Sequence, residues 1–404
     1  MSELLVGWAR AEITPPVGYP MAGYVRRQGP STGVLDPLFA RAFALRSGSV
    51  TVALIIADLL LVSNRWAKQL RAAIARSLRI PLQNVILAAT HTHSGPWVDT
   101  SPFNFATPGS LPFGSYQTTL HRRILQVAHA ARERAVPAEL SFARTWITGV
   151  ASDRNHPHRN VAQPFFLLRF RSTSGEALLG FYGCHSTVLG YSNRLFSGDL
   201  LGNIVRHLEQ QYSFAAVGVS AAANISTRFT RQSQTARELD RLADLVASRV
   251  LDARFRTGSG CILRITEKKL QLPLRNLTEP FSLPRSSFLP RRLREAAEEA
   301  EHNLQQLRGS QEFHRGTAPI ELTQIEFGKF SLLACPLEMA FESGKNLWKH
   351  GRVVPWCCAN GYWGYLPSRR ASKRDYEVIS SPFSPQAERI LCETILTRKP
   401  SLLL

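Results

Sequence analysis

Four short apolar runs, each ending at a polar residue with chemical capacity, limit what this chain can fold into. NVILAAT (84–90) runs into His91-Thr92-His93-Ser94-Gly95-Pro96. GFYGC (180–184) runs into His185, and FAAVGVS (214–220) leads through three alanines to Asn224-Ile225-Ser226-Thr227. SLLAC (331–335) leads through Pro336-Leu337 to Glu338. Runs this short and this rich in β-branched and apolar residues read as buried strands. TVALIIADLL (51–60) joins them, 321–327 with 330–335 read as a strand pair, and 165–170 with 177–183 as a hairpin around 172–175. Between these lie stretches of helical period at 64–78, 117–136, 198–212, 235–254, 289–307 and 340–349. Alternating strands and helices predict an α/β fold of mixed β-sheets flanked by α-helices.

The chain of 404 residues is long enough for two or three domains. No linker divides it, and no repeat or low-complexity tract shows in the sequence. The expectation is a single large catalytic domain over 1–404, with 272–318 as an insertion or flanking helical segment. The turn-rich stretches 97–116 and 272–291 carry aromatic and apolar residues and read as ordered loops. The longest apolar run, 51–62, is interrupted by Asp58 and falls short of the roughly 20 residues a membrane span needs. The start, MSELLVGWAR, lacks the basic and apolar pattern of a signal peptide. Six cysteines in so long a chain, with no CxxC pair, make no disulfide framework. A reducing, cytoplasmic setting is therefore expected.

The net charge of +19 favours anionic partners and suits weak contact with an anionic membrane surface. The basic residues are spread along the chain, with denser patches at Arg291, Arg292, Arg294 and at Arg369, Arg370, Lys373, Arg374. No nucleic-acid motif interleaves them with aromatics, so no specific nucleic-acid partner is expected.

The strand ends carry the chemistry. In an extended chain residues i and i+2 face the same side, so His91 and His93 point together from a strand's carboxyl end, where open α/β sheets place their sites. Two like-facing neutral imidazoles suit a metal. Glu338 follows a buried strand, where a free carboxylate is costly unless paired or metal-bound. Each residue also has a plain structural reading. The histidine pair could be an inert loop pair, His185 core filler, Glu338 a helix-start glutamate favoured by the dipole, and Ser226 a helix cap. Taken together, two or three histidines and one glutamate at separate strand ends make a plausible catalytic zinc set, with a position left for water.

With these residues in view, the chain resembles the neutral/alkaline non-lysosomal ceramidase family from near residue 6 to about 385. Gly7, Glu12-Ile13-Thr14-Pro15-Pro16, Met21-Ala22-Gly23-Tyr24 and Arg41-Ala42-Phe43 resemble the family's opening; NVILAATHTHSGP is its most diagnostic stretch. His185 with Ser197-Gly198-Asp199, Ser226-Thr227-Arg228-Phe229, the Pro336, Glu338 and Gly344 spacing, Asn360-Gly361-Tyr362-Trp363-Gly364-Tyr365 and Tyr376-Glu377 continue the match in order. The resemblance implies one zinc per chain held by His91, His185, Glu338 and Tyr365, with His93, Arg154, Ser226 and Tyr376 as further active-site groups. It implies attack of zinc-activated water on an amide carbon, with His93 and Tyr376 holding the developing oxyanion or moving protons. Ala223-Asn224 stands where the family has Gly-Asp, which separates the substrate question from the fold.

The expected function is a zinc-dependent amidohydrolase of a small N-acylated substrate, ceramide-like or another lipid or non-lipid amide. The alternatives are an esterase or phosphoesterase on the same zinc site, or an inactive binding protein.

Overall fold

Local sequence chemistry sets the helices. Residues 64–78 form helix α1 (Asn64–Leu78), whose Ser63 side chain caps Trp66 N at 3.4 Å and which ends on Arg79 in the left-handed conformation. Trp66, Leu70, Ile74 and Leu78 recur at fourth positions and are all buried. The computed structural model describes residues 3–98, 113–156, 159–257, 263–276, 315–328 and 330–397, with isolated positions between 298 and 313.

Eight strands form one path: β1 (Leu4–Glu12), β2 (Phe39–Ser47), β3 (Val50–Ala57), β4 (Val85–Ala89), β5 (Val136–Ile147), β6 (Gln163–Ser172), β7 (Gly175–Tyr182) and β8 (Phe214–Val219). Their order is β8-β7-β6-β5-β1-β2-β3-β4, and Arg256–Thr257 adds a ninth short strand on β5. Every neighbour on the path is antiparallel except the outer pairs, β3 with β4 and β7 with β8, which are parallel. A second sheet orders β9 (Leu263–Pro273), β10 (Thr317–Phe327), β11 (Phe330–Ala334) and β12 (Val353–Trp356), again with a parallel last pair.

A parallel pair requires a crossover, and here each crossover carries a helix. β2-β3-α1-β4, β6-β7-α3-β8 with α3 (Asp199–Leu208), and β10-β11-α5-β12 with α5 (Phe341–Gly351) are three copies of one plan: a hairpin, a helix, a parallel strand. The repeat is topological, which is why the sequence shows none. The three units meet where their last strands end. Cys357 N donates to Val219 O at 2.8 Å, Ala89 N to Cys358 O at 3.1 Å, and Asn360 N to Leu87 O at 2.7 Å.

The two sheets pack face to face. Phe43, Leu54, Ile86, Phe170 and Phe181 of the large sheet bury against Ile325, Phe327, Leu332, Val354 and Trp356 of the small one. Phe181 and Trp356 lie edge to face with centroids 5.2 Å apart. Burying such side chains contributes about 1.5–3 kcal/mol each. The other face of the large sheet is lined by small residues, Ala40, Ala42, Ala53 and Ala57 among them, and α1, α2 (Phe113–Glu133), α3 and α4 (Ala236–Leu251) cover it. Helix α6 (Ala387–Leu396) packs with α5 beside the small sheet. The architecture is the expected one, mixed sheets flanked by helices.

The differences have local causes. Helix α2 stops at Glu133 rather than 136 because Pro137 biases Val136 toward extended backbone, and Val136 instead opens β5. The strands β1, β5 and β9 escaped the sequence reading because they alternate buried with half-exposed positions and carry charges. Most of the 289–307 helix and of the 97–116 and 272–291 loops lies outside the described residues; the described positions of that helix, Glu298, Glu301, His302, Gln305 and Leu307, are helical. Among the described residues no helix is long and apolar enough to cross a membrane.

Candidate metal centre and active site

All four polar strand ends converge at the meeting point of the three units. β4 delivers His91 and His93, the segment after β7 delivers His185, and the one after β11 delivers Glu338. Short pairings fix their register. Thr92 bridges Ser186 in parallel, His185 bridges Ser226 in parallel, and Glu338 pairs in parallel with Tyr365. Paired residues of a ladder present their side chains on the same face, so Tyr365 stands beside Glu338 and Ser226 beside His185.

The expected extended geometry at His91 does not hold. His91 has φ +58°, a left-handed backbone that costs a non-glycine residue free energy and concentrates at functional sites. The two rings still converge, with His93 Nε2 3.4 Å from His91 Nε2. The cause is the turn, not strand alternation.

Each of the three histidines donates its Nδ1 hydrogen to a backbone carbonyl. His91 donates to Leu60 O at 2.8 Å, His93 to Gly23 O at 2.8 Å, and His185 to Ala222 O at 2.9 Å. Those carbonyls turn every Nε2 inward, with its lone pair free wherever the ring is neutral, the arrangement seen when histidine ligates a metal. Ligand atoms of all three lie within 4.8 Å of one another. Glu338 Oε2 sits 2.9 Å from His185 Nε2 and 3.3 Å from His91 Nε2. His185 Nε2 and Glu338 Oε2 are both buried without a hydrogen-bond partner among the described residues. Two acceptors at 2.9 Å repel unless a proton or a cation lies between them. Three imidazole nitrogens and a carboxylate therefore fit one cation of the zinc class.

The electrostatics agree. Burial disfavours charge on all three rings. At His91 the Glu338 carboxylate, aided by Cys358, outweighs burial and holds the pKa well above the ordinary value. At His93 burial and the two neighbouring histidines push it well below. At His185 burial and Arg154 push it down. Burial would raise the Glu338 pKa, but His91 and His185 hold it well below the carboxylate range, so Glu338 is an ionised, buried carboxylate.

Tyr365 stacks on His185 with centroids 6.4 Å apart and meets Tyr376 edge to face at 5.7 Å. Arg154 lies over both phenols, 5.3 Å from the Tyr365 centroid and 4.8 Å from that of Tyr376. Glu377 fixes Arg154 by an ion pair at Nε and accepts from Asn155 Nδ2 at 2.6 Å. Burial would lower the Arg154 pKa, but Glu377 and the phenols keep it charged. Ser226 is no helix cap: it lies in a two-residue strand with Ser152, and its hydroxyl accepts from Arg228 N at 3.3 Å. Thus all eight sequence-derived residues come together around one point.

Three contributors were not foreseen. The Tyr362 hydroxyl donates to Glu338 Oε1, so Tyr362 touches the carboxylate, whereas Tyr365 pairs with Glu338 through the backbone. Arg27 ties the opening segment to the site by donating to Ala22 O and His93 O, both at 2.6 Å. Gly23 supplies the carbonyl that sets His93. Tyr362 stood in the Asn360–Tyr365 motif as a spacing residue, and its hydroxyl partner is 24 positions away.

Comparison with known proteins places this geometry. Residues 4–233, more than half the chain, match the model of the neutral/alkaline non-lysosomal ceramidase N-terminal region. A neutral ceramidase of Mycobacterium tuberculosis is 30% identical over 233 residues, covering 51% of this chain and 36% of that protein. Neutral ceramidase A of Dictyostelium discoideum is 28% identical over 162 residues, 35% of this chain and 22% of its own length. The chain therefore spans about a third or less of these two relatives. The crystal structure of neutral ceramidase from Pseudomonas aeruginosa superposes with a TM-score of 0.75 at 16% identity, over 98% of this chain and 74% of that one. A likeness at that identity speaks for the fold. It extends across Glu338 and Tyr365, which lie beyond the 4–233 match.

Proposed function

The chain belongs to the neutral/alkaline non-lysosomal ceramidase family, and on that premise we propose that it is a zinc-dependent amidohydrolase of an N-acylated, ceramide-like substrate. The observation that carries this is the inward convergence of His91 Nε2 and His185 Nε2 on the ionised Glu338 Oε2, with His93 Nε2 3.4 Å from that of His91. His91, His185 and Glu338 would hold the ion, with Tyr365 beside Glu338 completing the set. When bound, zinc supplies a Lewis acid for the amide carbonyl and lowers the pKa of water to about 7.

The protein's own groups do the rest. His93 stays neutral because burial and its histidine neighbours disfavour its charged form. Its Nε2 lone pair takes the proton from the attacking water and returns it to the leaving amine nitrogen as the C–N bond breaks. Gly23 O holds the tautomer that leaves this lone pair available. Arg154, kept charged and fixed by Glu377, places a permanent positive charge beside Tyr365 and Tyr376, where the carbonyl oxygen gains negative charge. The Tyr376 hydroxyl donates to that oxygen. Ser226, bridged to His185, orients the reacting group. Ceramide as substrate is supported by the relatives' names and by the fold match to a ceramidase complexed with C2.

Elemental analysis tests the centre. About one zinc per chain is expected in the wild type, and less than about half in His185→Ala and Glu338→Gln, because the remaining donors close the site poorly. Product analysis tests the reaction: fatty acid and free amine in equal amounts from a short-chain ceramide. A folded, zinc-loaded protein that releases no amine from any N-acyl amine tested would overturn the proposal.

A further inference from the structure

The proposed reaction leaves one feature of the surface unused. A pocket of about 440 Å³ lies between α5 and the 368–370 turn, lined by Arg159, Lys345, Lys349, His350, Arg369 and Arg370. That volume lies within the range of small-molecule sites. The two acids in its wall are already engaged. Glu388 accepts from Ser343 Oγ at 2.8 Å, and Glu342 accepts from Asn224 Nδ2 at 3.2 Å and faces Arg159 Nη1 at 3.6 Å. Among the described residues, Lys345, Lys349, Arg369 and Arg370 form no ion pair. Lys345 and Lys349 stand one turn apart on α5, where like charges repel. The helix dipole accounts for Lys349 and His350 in the last turn. It does not account for Lys345, nor for two arginines brought alongside from another segment.

Polar contacts link the pocket wall to segments that carry active-site residues. Arg159 also faces Asp153 Oδ2, the neighbour of Arg154, at 3.7 Å. Asn224 Nδ2 links Asp153 to Glu342 from the loop that carries Ser226. Arg369 and Arg370 lie between Tyr365 and Tyr376 in the chain.

We propose that this pocket binds a phosphate group carried by a small molecule, and that it does so beside the hydrolytic site so as to seat a phosphorylated N-acyl substrate. The substrate clause rests on the amidohydrolase reading; the binding clause does not. Arginine forks and lysine point charges are the side chains that take phosphate oxygens, and a dianion there relieves the repulsion across the wall.

Calorimetric titration of the full chain with glycerol 3-phosphate tests the site without catalysis. Saturable one-to-one binding is expected, weakened about tenfold or more in K345Q/R369Q/R370Q. The surface variant R65Q/K68Q/R76Q removes the same charge elsewhere and is expected to bind as the wild type. Absence of saturable binding, or equal loss in both variants, refutes the site. Binding to phosphatidic acid vesicles with none to glycerol 3-phosphate refutes the small-molecule assignment in favour of a membrane headgroup. For the substrate clause, a ceramide bearing a phosphate on its amine portion is expected to show a lower KM than its neutral counterpart, with the gap closed in K345Q/R369Q/R370Q and kcat on the neutral substrate retained. Equal KM values with glycerol 3-phosphate binding intact refute that clause alone. Phosphate binding with no amide cleavage refutes the amidohydrolase reading and leaves the pocket standing.

Discussion

Replacing Gly23 with alanine separates the positioning of His93 from the fold around it. Gly23 has φ +102°, and a Cβ built there would lie 2.7 Å from His93 Cα and 2.9 Å from both His93 Cβ and Nδ1. Ordinary contact begins at 3.4 Å, so His93 must retreat by about 0.5–0.7 Å. A displacement of about 1 Å at a reacting group costs about a hundredfold in rate, so turnover is expected to fall about 10- to 100-fold. The strained φ costs about 1–3 kcal/mol. Stretching the His93 Nδ1 bond to Gly23 O adds about 0.5–1.5 kcal/mol, for a stability loss of about 1.5–4.5 kcal/mol. Gly149 is the matched control. It has φ +77° and nothing within 4 Å of its Cβ position, so Gly149→Ala is expected to lose stability with turnover unchanged. The assay is kcat per folded molecule, with denaturant melts and zinc content on the same samples. Wild-type turnover in folded Gly23→Ala would refute the role of this carbonyl. Loss of zinc in it would make His93 a ligand.

Tyr362→Phe keeps the buried ring but removes the donor to Glu338 Oε1; zinc affinity measured by chelator competition is expected to fall about 10- to 100-fold, the scale for losing a group that holds a ligand, and an unchanged affinity would discount Tyr362. Asp199 carries a φ of +47° and a pKa raised to about 6, chiefly by burial. The folded state thus holds that proton more tightly than the unfolded chain, so this group's contribution is full below the ordinary aspartate value of 3.8 and is lost as pH rises through about 6. Asp199→Asn, which tolerates that backbone, is expected to flatten the fall in unfolding free energy between those pH values; an identical slope refutes the shift. From the sequence we propose a cytoplasmic location, which fractionation recovering the protein mainly outside the cell would contradict.

The site was largely legible because its residues sit where apolar strands end, and strand ends are what a period of two and a sudden polar residue reveal. His91, His185 and Glu338 each announced themselves in that way. Tyr365 needed the family resemblance, since a tyrosine after Gly364 looks like any core aromatic. Tyr362, Arg27 and Gly23 were silent because their partners are far along the chain: Arg27 meets His93 across 66 positions and Tyr362 meets Glu338 across 24. The fold class followed from alternation, yet β1, β5 and β9 were missed because half-exposed strands lose the apolar signal. The left-handed turn at His91 could not be read at all. Histidine has no sequence signature for that backbone, and tertiary contacts impose it.

The three-unit plan also governs how the protein folds. Its donors come from separate hairpin-helix-strand units, at residues 91, 185 and 338, and no single unit holds a complete set. Loop closure over such separations must precede any reward from the ion, so the centre forms late and the chain folds slowly relative to proteins built from local contacts. A ligand that recognises only the completed centre binds the native state and not the unfolded one. Its free energy is therefore added to global stability, about 2.7 kcal/mol at a hundredfold excess over Kd. On the proposed zinc reading, zinc availability would set not only whether the enzyme is active but how much of it survives unfolding and proteolysis.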